Sequence, residues 1–172
     1  MTATESAAVA AQRRLVAANP RDVIALHNLG VELRKTDRLQ EALATMERAL
    51  TLGATAPETA TVHAHLLADF GRFDEAVAAY HRVLERHPAH IDAHETLARL
   101  LPQIGRRAEA FAAYADALAR APHIGALWIS ALAAAKDLRD GDRLLDWVAA
   151  AEARFGSEPF LGLLAAQAHS WR

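Results

Sequence analysis

The stretch Gly71-Arg72-Phe73-Asp74-Glu75-Ala76-Val77-Ala78-Ala79-Tyr80-His81-Arg82-Val83-Leu84-Glu85-Arg86-His87-Pro88 decides the fold, because the chain answers it 34 residues later. Gly71 returns as Gly105, Arg72 as Arg106, Ala76 as Ala110, Tyr80 as Tyr114, Leu84 as Leu118 and Pro88 as Pro122. Reading backwards by the same step gives Arg38, Ala42, Met46 and Leu50. A fixed period of this length marks a stacked repeat architecture and outranks any short motif. Such arrays act mainly through extended surfaces.

Within the period, apolar residues fall at helical spacing. Leu26, Leu29, Gly30 and Leu33 share one helix face, and Ala42, Met46, Ala49 and Leu50 share the face of the next. Polar or glycine turns separate them: Thr36-Asp37-Arg38, Phe70-Gly71-Arg72 and Ile104-Gly105-Arg106. Glycine there supplies the left-handed conformation of a C-terminal cap. Pro88 and Pro122 end the second helices, since proline cannot continue them. No sustained alternation of apolar and polar residues argues for strands. Small residues recur in the first helix at Gly30, Ala64 and Ala98, and in the second at Ala42, Ala76 and Ala110. They let helix axes approach to roughly 8–10 Å. Met46, Tyr80 and Tyr114 are expected to fill the gap toward the next repeat.

Composition agrees. The 172 residues suffice for one compact domain or a short array, and 52% are hydrophobic against 23% charged. A net charge of -2 argues against a nucleic-acid partner, which selects a strong basic excess. With no cysteine, disulfides, thiolate zinc sites and a cysteine nucleophile are excluded. Met1-Thr2-Ala3-Thr4-Glu5 lacks a basic leader, and no apolar run approaches the ~18 residues that span a bilayer. The expectation is a cytoplasmic protein without a membrane partner. Arginine and alanine bias suggests a bacterial genome.

The segments Leu26-x-x-Leu29-Gly30-x-x-Leu33, Ala76-x-x-x-Tyr80 and Pro88 resemble the tetratricopeptide repeat (TPR). The resemblance implies an all-α fold, a right-handed α-solenoid of antiparallel helix pairs with about ten helices. It places repeats at 23–56, 57–90 and 91–124, a degenerate repeat at 125–158, an N-terminal capping helix at 5–20, and a C-terminal helix at 159–172. The whole of 1–172 then forms one TPR-like domain. In the degenerate repeat Trp128 takes the leading aromatic position. Gly141, taken as its turn glycine, falls 36 residues after Gly105, so the turn Lys136–Gly141 reads as two residues longer. The last helix reads as a cap or as the start of a fifth repeat, with an apolar face of Phe160, Leu163, Leu164 and Ala168.

By the same resemblance, the first helices line a concave binding face. Its inward residues are His27, Val31, Arg34 and Lys35, with Ile24 beside them. Next come Thr61, His65 and Asp69 with Glu58, then Glu95, Arg99 and Gln103 with Asp92. Ile129, Ala133, Lys136 and Asp137 continue the row. The charge runs basic, then acidic, then neutral, which suits a peptide of segmented charge. The family's carboxylate clamp for chaperone tails is not expected. Its positions here hold His27, Val31, Val62, Asp92 and Thr96, and Asp92 repels a carboxylate.

Candidate chemistry is thin. His63 and His94 fall at helix-packing positions, and other histidines lie on exposed faces or in loops. His90-Ile91-Asp92 has the His-x-Asp form of an iron facial triad, but it straddles a helix start. No phosphate loop, Gly-x-Ser-x-Gly elbow or His-Glu-x-x-His occurs. Asp69, Asp74 and Glu75 read as surface or capping acids. Pro102 reads either as a tolerated kink or as a deliberate bend. Trp128 and Trp147 read as packed, and Trp171 as an interface marker if exposed. The leading expectation is a non-enzymatic scaffold or adaptor that needs no cofactor or metal and binds a protein or peptide. Two alternatives stand beside it. One is the TPR region of a larger enzyme, such as an oxygenase, glycosyltransferase or sulfotransferase, suggested by the stop at His169-Ser170-Trp171-Arg172 inside a helix. The other is a homo-oligomerising module.

Overall fold

The computed structural model describes residues 6–171. Glu5 of the expected capping helix and Arg172 at the other end lie outside them. Among the described residues all regular structure is helical: α1 (Ala7–Ala18), α2 (Val23–Lys35), α3 (Leu39–Thr51), α4 (Pro57–Asp69), α5 (Phe73–Arg86), α6 (Ile91–Gln103), α7 (Arg107–Arg120), α8 (Gly125–Asp137), α9 (Gly141–Phe155) and α10 (Pro159–His169). The even helices α2 to α8 begin and end at a step of 34, and α10 opens at Pro159 on the same step.

The chain divides into two compact units, Met1–His87 and Pro88–Arg172. In the first, α1 packs on α2, α2 on α3, α3 on α4, and α4 on α5. Its core gathers Val9, Leu29, Leu33, Ala42, Met46 and Leu66, flanked by Val16, Val31, Leu39, Leu43 and Val62. Met46 shares this core with Leu66 and Val62 of the next repeat and also packs within its own pair. Its side chain lies over Gly30 of its own helix pair, where a Cβ would sit 2.5 Å from the Met46 methyl. In the second unit α6 packs on α7 and α8 on α9; α8 also meets α6 and α7, and α10 meets α9.

One turn closes every pair. The residues Asp37, Gly71, Gly105 and Arg139 all have positive φ (59°, 72°, 81° and 53°). The next residue's N–H reaches back five positions: Arg38 to Leu33, Arg72 to Leu67, Arg106 to Leu101 and Asp140 to Ala135, at 2.8–3.0 Å. The turn residue itself bonds three positions back. Together these bonds satisfy the carbonyls that a helix end leaves open, as in the Schellman cap. The fourth turn is therefore no longer than the others, contrary to the sequence expectation. Arg139 is its left-handed residue, 34 after Gly105. Gly141 is instead the first residue of α9, where a Cβ would stand 3.1 Å from the Ala168 carbonyl oxygen. That glycine exists for close backbone approach, and sequence alone does not separate that role from turn geometry.

A second device escaped the sequence reading. Arg38, Arg72 and Arg106 each bond the glutamate three residues on, Glu41, Glu75 and Glu109, at 2.6–2.7 Å. The arginines occupy N-cap positions without capping the backbone, and hold a first-turn carboxylate beside the helix N-terminus. The guanidinium keeps the Glu41 and Glu75 carboxyls below their ordinary range.

The leading aromatic position also has a defined job. Trp128 Nε1 donates to the Pro122 carbonyl at 2.9 Å, and one period earlier His94 Nε2 meets the Pro88 carbonyl at 2.7 Å. Both residues are buried, as expected. His90 is the N-cap of α6, its Nδ1 accepting from the Ala93 N–H, which accounts for the His-x-Asp motif structurally. Pro102 lies at the penultimate position of α6, which keeps the same span as α2, α4 and α8. In α10 the expected apolar face is turned. Leu161 and Ala168 are buried, seven residues apart on one side, while Phe160 and Leu163 face solvent. Trp171 is half-buried and lies near Gly141.

Candidate functional site

The expected binding residues distribute over clefts within each unit. In the first unit, α2 and α4 bound a cleft of about 480 Å³ lined by Val31, Arg34, Lys35, Asp37, Leu39, Val62 and Asp69. Arg34 and Asp69 spend their charge on each other: Nε donates to Oδ2 at 2.9 Å, helix to helix. Lys35 reaches Glu32 at 2.7 Å. The sequence-level picture of a basic first repeat is thus largely cancelled by internal pairs. At the helix starts, a second cleft of about 400 Å³ is lined by Val23, Ile24, His27, Gly53, Ala54, Thr55, Ala56, Glu58 and Thr59. There His27 Nδ1 lies 3.1 Å from Thr59 Oγ1, and Ile24 is 70% exposed.

Thr61 does not belong to a binding face. It is buried, and its hydroxyl donates to the Pro57 carbonyl one turn earlier at 2.8 Å. A threonine inside a helix can return its hydroxyl to the carbonyl four residues earlier. His65 is half-buried, its ring edge-on to Tyr80 at 5.7 Å between centroids. His63 is half-buried on another side of α4.

The second unit holds a cleft of about 360 Å³ between α6 and α8, floored by α7. Glu95, Arg99, Pro102, Tyr114, Ser130 and Ala133 are among its walls. Ser130 Oγ donates to Glu95 Oε1 at 2.5 Å, bridging the two helices. Arg99 is exposed and makes no ion pair among the described residues. Tyr114 is buried, and burial, then the nearby Glu95 carboxylate, pushes its phenol up to about 12, so it stays a hydrogen-bond donor. Gln103 is exposed but does not line this cleft. Tyr114, Ser130 and Pro102 are cleft residues that sequence reasoning missed. Tyr114 carries the signal of a packing residue, and small residues beside it in the lining, Ala98, Ser130, Ala133 and Ala134, leave the cleft open.

Chemically, these clefts offer fixed donors, paired charges and apolar walls. Among the described residues no group of three His, Asp or Glu side chains is placed to hold a metal ion. No described helix is long and apolar enough to cross a membrane.

Comparison with known proteins agrees with this architecture. The family model described as tetratricopeptide repeat matches residues 6–57 and 61–123. The chain belongs to the tetratricopeptide repeat family. No curated protein matches it in sequence. Among solved structures, MamA superposes with a TM-score of 0.65 at 17% identity, covering 95% of this chain and 85% of that one. PilW, described as a widely conserved type IV pilus biogenesis factor, gives 0.68 at 21% identity, covering 90% and 72%. YrrB, described as a TPR protein with an unusual peptide-binding site, gives 0.61 at 16% identity, covering 94% and 81%. At such identities the likeness establishes the all-α TPR solenoid fold.

Proposed function

We propose that this chain is a protein-binding module that takes extended partner segments in the first-helix clefts of each unit. The observation that carries this reading is the α6–α8 cleft. An unpaired Arg99 stands beside a buried phenol donor and an apolar wall, which fits a carboxylate or backbone carbonyl flanked by an aliphatic side chain. Similarity to YrrB, whose description names a peptide-binding site, supports the class of ligand. In the first unit the Arg34–Asp69 pair must be opened or bridged by the partner. That makes His27, Val31, Lys35, Asp69 and Ile24 contributors to fit in the first unit, while in the second the free charge is at Arg99. Groove binding needs no cofactor and no catalytic group of this chain.

The test is a pull-down from native lysate comparing wild type with the Arg34→Glu, Arg99→Glu double variant, with Arg14→Glu as the surface control. Loss of one defined partner in the groove variant alone supports the reading; identical partners on all three baits refute it. A self-assembly reading is favoured by one specific feature, the solvent-facing Phe160 (47% exposed) and Leu163 (72% exposed) on α10. A solution mass at twice 18.6 kDa that returns to the monomer on Leu163→Glu supports it.

A further inference from the structure

The first unit carries a cleft on its second-helix side that the groove reading does not use. It measures about 470 Å³, with α3 on one wall, α5 on the other, and α4 with its preceding loop as the floor. Leu50, Ala60, Ala79 and Val83 give it an apolar part; Arg82 and Arg86 line the α5 wall, and Glu47 the α3 wall.

Two departures from the repeat pattern converge there. First, Arg82 and Arg86 sit four apart on one helix face, exposed, and neither makes an ion pair among the described residues. Like charges at this spacing repel. One period later the same two positions hold Asp116 and Arg120, which neutralise each other at 2.7 Å. Second, His63 occupies a column filled elsewhere by the buried Leu29, Leu97 and Ala131. It places an imidazole in the cleft, 3.9 Å from Glu47, where the other repeats place hydrocarbon. Burial holds His63 below its ordinary pKa, so the positive charge of the cleft comes from the arginines. Other described arginines are engaged, Arg13, Arg34, Arg38, Arg72, Arg106, Arg120 and Arg143 with carboxylates and Arg48 with the Pro20 carbonyl, whereas Arg82 and Arg86 stand adjacent and unneutralised at one cleft. A local rule broken without compensation marks a functional position.

We propose that this cleft is a second docking site, for an acidic segment of a partner protein. Its carboxylates pair with Arg82 and Arg86, and an aliphatic side chain between them packs on Leu50 and Val83. Two guanidiniums one helical turn apart match carboxylates on alternate residues of an extended chain, and arginine binds each through a planar two-point contact. The imidazole of His63 offers a neutral hydrogen-bonding group on the floor. A nucleic-acid strand is disfavoured because the site supplies two cations in a chain of net charge -2.

The experiment is a titration of ¹⁵N-labelled protein with a short synthetic peptide alternating glutamate and leucine. Saturable amide shifts clustered at Leu50, His63, Arg82 and Arg86 are expected. The Arg82→Glu, Arg86→Glu variant should weaken the peptide by about tenfold or more, and Glu47→Lys should tighten it. Both variants lie on exposed positions, and an unchanged circular dichroism spectrum checks that they fold. The Arg34→Glu, Arg99→Glu variant should bind this peptide as wild type does, which separates failure here from failure of the groove reading. Equal binding of a glutamine–leucine peptide, shifts confined to the first-helix clefts, or cleft shifts with inorganic phosphate but not with peptide would each overturn the proposal.

Discussion

Gly30 and Met46 offer the sharpest test of how the repeat column is packed. In a helix interior, Gly→Ala normally stabilises by about 0.5–1 kcal/mol through backbone entropy. Here the new methyl would lie 2.5 Å from Met46 Cε and 3.2 Å from its Cγ and Sδ. Met46 is completely buried, so its side chain has no solvent to swing into. Overpacking of this kind costs about 1–3 kcal/mol, toward the lower end because methionine is flexible. Gly30→Ala alone should therefore be neutral to about 2 kcal/mol destabilising. In a Met46→Ala background, itself weakened by about 2–5 kcal/mol, the obstacle is gone. The same Gly30→Ala change should then stabilise by about 0.5–1 kcal/mol. The assay is a double-mutant cycle from urea unfolding followed by circular dichroism, with the m-values checked for constancy. A coupling below about 0.5 kcal/mol, meaning the glycine change acts alike in both backgrounds, refutes the packing argument.

Four further outcomes follow from particular contacts. Ala76→Leu, at a fully buried small-residue position, should lower stability by about 1–3 kcal/mol, read as a shift in urea midpoint. Arg139→Gly should raise stability by up to about 1 kcal/mol by relieving the left-handed strain of a side-chain-bearing residue. Gly141→Ala, two residues on, should instead lower it, because its neighbour is the Ala168 backbone oxygen, which yields less readily than a side chain; one melting series over both variants decides. Stability should also fall as pH drops below about 6.5. Burial lowers the pKa of His94 and of His63, so between folded and unfolded values the unfolded chain binds more protons. The Pro88 hydrogen bond and Asp116 oppose the shift at His94, and Glu47 opposes it at His63. Stability is thus full above the ordinary value and declines toward the folded one. His94→Gln should flatten the pH dependence of the urea midpoint, and an unchanged slope would show that His94 does not titrate in this window.

The columns that the period exposes, Ala42–Ala76–Ala110 and Leu50–Leu84–Leu118, led directly to the helix pairs. What the sequence hid were contacts that different residues satisfy equally. A left-handed turn residue reads as glycine at 71 and 105, yet Asp37 and Arg139 adopt the same conformation with backbone bonds of the same pattern. The fourth turn was therefore misjudged from Gly141. Similarly, His94 and Trp128 look unrelated but donate a ring N–H to equivalent carbonyls. At the candidate site, residue identity showed charge but not its partner. Arg34 and Asp69 appeared as separate groove charges until their bond was seen, and Thr61 appeared polar and available until its hydroxyl was found on the Pro57 carbonyl.

Periodicity also separates scaffold charge from binding charge. Arg38, Arg72 and Arg106 recur with their glutamates at three turns, and the fourth keeps an ion pair at the same spacing with the charges reversed, Asp140 with Arg143, so the repeat itself explains them. Arg99 shares its column with Val31, His65 and Ala133, and Arg82 shares its column with Arg48 and Asp116. Neither column requires a cation to build the repeat. An exposed arginine gains little from the fold when no partner meets it, and an adjacent like charge works against it. Among the cations that repeat geometry does not explain, Arg99 and the Arg82–Arg86 pair stand at clefts on different sides of their own helix pairs. The consequence is measurable. If Arg99 serves a groove ligand and Arg82 with Arg86 serve a second segment, reversing either set should abolish one interaction and spare the other. A single shared ligand would instead lose affinity in both variants together.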